Sequence, residues 1–175
     1  FGWYIETLRG HEVRRHTGQT AGFAASLAHF PRDRMTVIVL CNLGTIGVAG
    51  RIGQAVAKLY VPALSLRALG TKPDEDAQTG ARLREIVRAQ LAGKPDAEAF
   101  TTGARDALST DSARANWGRF NAYGPLRAFD FAGRETEGER RTLRYRVGLG
   151  EHLLLLKFVL NGEGKVSEMS AEEEE

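Results

Sequence analysis

The sequence predicts an α+β chain in two parts: a partial antiparallel sheet closed by a C-terminal helix, then a small domain of helices followed by a curved antiparallel sheet. Three observations carry this prediction. Alternating or continuous apolar runs bounded by turn residues fill 2–41 and 126–169, the pattern of strands burying one or both faces. Apolar residues recur at helical spacing over 46–60 and 83–91, with a further helical region to about residue 120. The charge balance also changes, from nine Lys or Arg against three Asp or Glu over residues 1–72 to fifteen against nineteen over the rest.

The first part begins with Gly2 to Leu8, where Trp3 and Ile5 alternate with Tyr4; Arg9-Gly10-His11 supplies a turn, and Glu12 to His16 returns as a second strand. Ala24 to Phe30 makes a third. Pro31-Arg32-Asp33-Arg34 is a turn leading to Met35–Cys41, a continuous apolar run rich in β-branched residues that suits a buried central strand. Ile46, Ala49, Ile52, Gly53, Val56, Leu59 and Tyr60 then mark a helix that should stop at Pro62. Residues 63–79, with Gly70, Pro73 and the acidic run Asp74-Glu75-Asp76, have the composition of a linker.

The second part spans 80–171. Leu83, Ile86, Val87, Gln90 and Leu91 mark an amphipathic helix ended by Gly93 and Pro95, and Phe100, Ala104, Leu108, Trp117 and Phe120 continue the helical region. Gly124-Pro125 breaks it. Strands follow, with Phe129 and Phe131 about Asp130, with Leu143, Tyr145 and Val147 alternating with Arg144 and Arg146, and along Leu153–Leu160. Asn161-Gly162-Glu163-Gly164 turns the chain into a last strand at Lys165–Met169, and residues 172–175 are expected to form a solvated acidic tail.

Composition narrows the function. A chain of 175 residues with 42% hydrophobic content is ordinary for a globular protein, and a net charge of +2 without an Arg- and aromatic-rich strand argues against nucleic-acid binding. No apolar stretch approaches the roughly 20 residues of a membrane span. Cys41 alone makes no intramolecular disulfide or thiolate zinc cluster and is expected to be a small buried hydrophobe. His11, His16, His29 and His152 include no i, i+4 pair, so neither a metal site nor a cofactor is expected. Arg144 and Arg146 fit the solvent face of a strand; a sheet curled to a cone is the alternative, in which they line a pocket where Asp130, Glu135, Tyr145 and His152 could converge.

The candidate chemistry lies in Arg15-His16-Thr17-Gly18-Gln19-Thr20-Ala21-Gly22-Phe23, followed by the strand Thr36-Val37-Ile38-Val39-Leu40, Asn42 and a long helix. Over about residues 1–62 this succession resembles the C-terminal end of the β-lactamase-related serine hydrolases, the group of class C β-lactamases, DD-peptidases and esterases. Their third motif is K-T-G or, in many members, H-T-G. The resemblance implies an acyl-enzyme mechanism on a β-lactam, peptide or ester, with His16 and Thr17 holding substrate, Gly18 permitting its close approach, and the Gln19 N–H donating to the oxyanion. It also implies a parent exported to the periplasm or beyond. The S-x-x-K nucleophile motif and the Tyr-x-Asn motif are absent: Ser65-Leu66-Arg67-Ala68 and Ser109-Thr110-Asp111-Ser112 do not end in Lys, and Tyr123-Gly124-Pro125 lacks the Asn.

The chain begins at Phe1 without Met, and is therefore expected to be the C-terminal part of a longer hydrolase and catalytically silent by itself. The layout of 80–171 resembles the cystatin-like or nuclear-transport-factor-like α+β modules appended to many bacterial hydrolases. Two other functions fit the residues: a non-catalytic binding or homodimerising module in 80–171, and a degenerate hydrolase serving as a sensor or scaffold.

Overall fold

The computed structural model describes residues 2–45 and 47–174. It is an α+β structure with two four-stranded antiparallel sheets. The chain divides into two compact units, with the boundary between Ala68 and Leu69.

In the first unit, strands β1 (Tyr4–Leu8), β2 (His11–Thr20), β3 (Phe23–Phe30) and β4 (Met35–Cys41) form a meander in sequence order. The β1–β2 turn holds Arg9 at φ 49° and Gly10 at φ 84°, the left-handed pair that matches the twist of a tight hairpin. β2 continues four residues beyond the expected end at His16, because its pairing with β3 runs on to Thr20↔Phe23. Helix α1 (Val48–Tyr60) packs on β3 and β4, with Ala49, Gly53 and Ala57 buried. Ile46, where the helical pattern was expected to begin, lies outside the described residues.

Strand alternation sends Val13, Phe30 and Val37 to the helix side, where they form a small core with Ala57 and Leu64. Cys41 lies on the same side and is half-buried rather than buried. No described helix of this unit covers the opposite face, where Phe23, Ile38 and Leu40 are 59%, 62% and 80% exposed, so β4 is a half-exposed edge strand rather than the buried central strand expected.

In the second unit, α2 (Ala77–Leu91), α3 (Thr102–Leu108) and α4 (Asp111–Ala122) precede β5 (Leu126–Glu137), β6 (Arg140–Leu149), β7 (His152–Leu160) and β8 (Val166–Glu173). Each helix starts at a side chain that accepts from the first turn: Asp76 from Thr79 N–H, Thr101 from Ala104 N–H and Thr110 from Ala113 N–H. Phe100, expected within the helical region, instead bridges to Val166. Register shifts along β5 bend the sheet. Leu143, Tyr145, Val147, Leu154, Leu156 and Phe158 fill its inner face against Leu83, Val87, Trp117 and Phe120.

The linker expected over 63–79 does not form. Pro62–Leu64 and Leu66–Ala68 are 3-10 turns that bury Leu64 and Leu66, and the Arg9 side chain donates to the Leu64 carbonyl. From Leu69 onward the strap belongs to the second unit. Lys72 N–H donates to Phe131 C=O at 2.9 Å, and Tyr145 Oη donates to Asp74 at 2.8 Å. The Gly70, Pro73 and acidic residues that suggested a linker lie in a segment that supplies instead the partners for β5 and β6. Gly80 follows from this packing, since a Cβ there would lie 2.3 Å from Asp74 Oδ2.

The acidic tail is also shorter than expected, because β8 pairs with β7 as far as Leu154↔Glu173. Burial pushes the Glu173 carboxyl up, but hydrogen bonds from Tyr123 and Arg119 outweigh it and hold the group below the usual range.

Burial, and then the Asp74 carboxylate, push the Tyr145 phenol well above its ordinary pKa near 10. The unfolded chain therefore loses this proton first, so the stabilisation is complete below about pH 10 and declines as pH rises further. Tyr145→Phe is expected to cost about 1–2 kcal/mol at pH 7 and to flatten the decline of Tm above pH ~10. Parallel declines in calorimetry would contradict this assignment.

Candidate functional site

All four candidate residues, His16, Thr17, Gly18 and Gln19, lie on the exposed half of β2. β1 covers β2 only as far as Tyr4↔Arg15. The two-residue turn Ala21-Gly22 makes Thr20 and Phe23 a hydrogen-bonded pair, and alternation then directs the backbone groups of Gly18 and His16 at β3. Those of Thr17 and Gln19 point the other way, off the edge that β1 leaves uncovered. The outward Gln19 N–H is thus placed to donate to a group laid along this edge.

The side chains at 16 and 18 share the helix-free face with Ala25, Leu27, Ile38 and Leu40, through the pairs His16↔Leu27, Gly18↔Ala25, Leu27↔Ile38 and Ala25↔Leu40. With Trp3 they border a shallow, mostly apolar concavity of about 490 Å³. Among the described residues no heavy atom beyond its chain neighbours lies within 4 Å of the Cβ position at Gly18, so the space that the glycine leaves is open.

The histidines separate into different roles. His11 Nδ1 lies 2.9 Å from both carboxylate oxygens of Asp33, which ties the β1–β2 turn to the β3–β4 turn. His29 Nδ1 is 2.8 Å from Thr36 Oγ1 across the β3–β4 pair. His152 stacks on Tyr123, ring centroids 3.8 Å apart. The ring of His16 stacks on that of Tyr4, centroids 6.4 Å apart, and its nitrogens bond to no described residue.

Two supporting contacts carried no signal in the sequence. The Gln19 side chain donates to Gly44 C=O and holds the segment after β4 against the end of β2; a Cβ at Gly44 would lie 3.1 Å from Gly22 N, so the contact is close. Behind the site, Arg15 makes a two-pronged bond to Glu6 at 2.8 and 2.9 Å, with its guanidinium carbon 5.9 Å from the Tyr4 ring centre. That pairing raises the Arg15 pKa and lowers that of Glu6. It fixes the β1–β2 register just where β1 stops covering β2.

In the second unit, Asp130, Glu135, Tyr145 and His152 do not converge. Arg146 donates to Asp130 at 3.3 Å and to Leu69 C=O at 3.0 Å, and Arg144 grips Glu135 at 2.9 and 3.2 Å, all on the outer face of the sheet. Tyr145 points inward and His152 lies at the β6–β7 turn. Odd and even positions of β6 face opposite sides, so no curvature brings these groups together. Among the described residues no three His, Cys, Asp or Glu side chains cluster to hold a metal ion, and no helix is long and apolar enough to cross a membrane.

No family model matches the chain, and neither a curated protein nor a solved structure matches it.

Proposed function

We propose that the first unit is one wall of the acyl-transfer site of a β-lactamase-related serine hydrolase, with the nucleophilic Ser and its Lys supplied from outside these 175 residues. The observation that carries this reading is the position of His16-Thr17-Gly18-Gln19 on the uncovered edge of β2, beside an exposed apolar face.

A substrate laid along that edge as an added strand meets the outward backbone groups of Thr17 and Gln19. Its scissile carbonyl oxygen accepts from the Gln19 N–H, and the bond strengthens as negative charge develops on that oxygen. Gly18 leaves room beside the strand. The unpaired His16 imidazole donates a hydrogen bond or, when protonated, lends positive potential to a substrate carboxylate. Attack by the Ser forms an acyl-enzyme and expels an amine or alcohol; water then releases the acid. Helices carrying that Ser would cover Phe23, Ile38 and Leu40, as a two-sided sheet requires.

Intact-mass analysis with a fluorescent penicillin and a fluorophosphonate tests the proposal. The isolated chain should form no adduct, whereas the product of the complete reading frame should be labelled once, on the Ser of an S-x-x-K. In that longer protein Gly18→Val should slow acylation by about 100-fold. An adduct on the isolated chain, or a complete reading frame without S-x-x-K, sinks the reading.

A further inference from the structure

The second unit contains a recess of about 630 Å³ between the C-terminal end of α2 and the pair α3 and α4. Its volume falls in the range of small-molecule sites, roughly 300–1,000 Å³. Leu91, Phe100, Leu108 and Trp117 form the apolar wall. None of the lining residues is acidic.

Two polar side chains on the lining are not used by the fold. Gln90 is 6% exposed, and its Nε2 has no hydrogen-bond partner. At the end of α2 the backbone carbonyls nearest Gln90 are engaged by backbone N–H groups. Ala92 N–H donates to Arg88 C=O at 3.0 Å, Gly93 N–H to Gln90 C=O at 3.0 Å, and Lys94 N–H to Ala89 C=O at 2.9 Å. The carbonyls of Arg88, Ala89 and Gln90 are thus engaged by a Schellman ending, and none of these bonds involves the Gln90 side chain. A buried amide without a partner lowers stability, and an acceptor brought by a ligand recovers that loss.

The second such group is Arg105. Arg114, also on the lining, is engaged by Ser109 C=O and Asp111. Arg105 is exposed at the rim, and its guanidinium makes no ion pair or hydrogen bond with any described residue.

We propose that this recess binds a small amphipathic carboxylate of the N-acyl amino acid type. Its acyl or aryl body lies against Phe100 and Trp117, its amide carbonyl accepts from Gln90, and its carboxylate pairs with Arg105. The apolar wall selects the body, the unpartnered amide selects a neutral acceptor, and the rim without acidic residues selects the negative head.

N-octanoylglycine and its uncharged counterpart N-octanoylethanolamine are the probes. Binding is followed by calorimetry and by the Trp117 indole N–H resonance in a full chain carrying Trp3→Phe. N-octanoylglycine should shift the Trp117 signal saturably, with the ethanolamide bound about tenfold more weakly. Arg105→Gln should remove that preference and leave ethanolamide binding unchanged. Gln90→Leu should weaken both ligands while raising the Tm of the free protein, a combination that a purely structural Gln90 would not produce. No saturable shift at about 1 mM ligand, an Arg105→Gln chain that keeps the preference, or a Gln90→Leu chain with lower Tm and unchanged binding would each overturn the site.

Discussion

Gly150→Ala is expected to destabilise the second unit by roughly 3–5 kcal/mol, although it adds a single methyl group. Gly150 begins the two-residue turn between β6 and β7 at φ 55°, and its ideal Cβ would lie 2.1 Å from the backbone oxygen of Tyr123. The neighbour is main chain and cannot rotate away. Relief requires separating the β6–β7 turn from the end of α4, which stretches the 3.0 Å bond from Gly150 N–H to Pro125 C=O and disturbs the Tyr123–His152 stack. Gly138→Ala is the matched control. Gly138 has nearly the same φ, 57°, in the β5–β6 turn, with no heavy atom within 4 Å of its Cβ position. It should cost only the left-handed backbone penalty, about 1–2 kcal/mol. Urea unfolding of both variants measures the difference, and equal costs would show that the close approach to Tyr123 is not a constraint.

The strands and the helix at 48–60 were legible because they obey local rules. Val37, Ile38 and Val39 suit a strand wherever they are placed, and Gly10 and Gly162 lie in turns that the sequence marks. The stretch from 63 to 79 failed for a physical reason. Its Leu64 is buried against Val13, Phe30 and Val37, far away in sequence, and Asp74 gains its partner from Tyr145, 71 positions along the chain. Composition describes what a segment is made of, not what lies beside it. The acidic end at Glu173 misled in the same way, since Arg119 and Tyr123 lie 54 and 50 residues earlier.

The candidate site was more legible than its supports. His16-Thr17-Gly18 is a contiguous run, so its position on one strand follows from that strand alone. The free edge was not readable, because it depends on where β1 stops pairing, at Tyr4↔Arg15. The Gln19–Gly44 bond and the Gln90 amide left without an acceptor depend on loop and helix-end geometry, which hydrophobic periodicity does not encode. The four polar residues grouped on the second sheet, Asp130, Glu135, Tyr145 and His152, failed for a simpler reason. Strand parity alone separates Tyr145 from Arg144 and Arg146, the partners of Glu135 and Asp130.

Phe158→Ala should have a comparably large effect from a different cause. Phe158 is fully buried toward the C-terminal end of β7, between Leu143 on β6 and Met169 on β8. Its ring meets Tyr145 edge-on at 6.1 Å and Phe129 at 6.5 Å. Removing it leaves a cavity bounded on both sides by paired strands, whose hydrogen bonds resist collapse into the gap. The expected loss is about 3–5 kcal/mol, a large part of the roughly 5–15 kcal/mol that stabilises an ordinary domain. In a Trp3→Phe background, Trp117 fluorescence reports the second unit, and its urea midpoint should fall by about 2 M. Phe158→Leu should lose less than half as much, because it retains most of the apolar volume. If Ala and Leu were equally costly, the loss would lie in the aromatic contacts with Tyr145 and Phe129 rather than in the cavity. If neither moved the midpoint, the inner face of the sheet would not be the core of this unit.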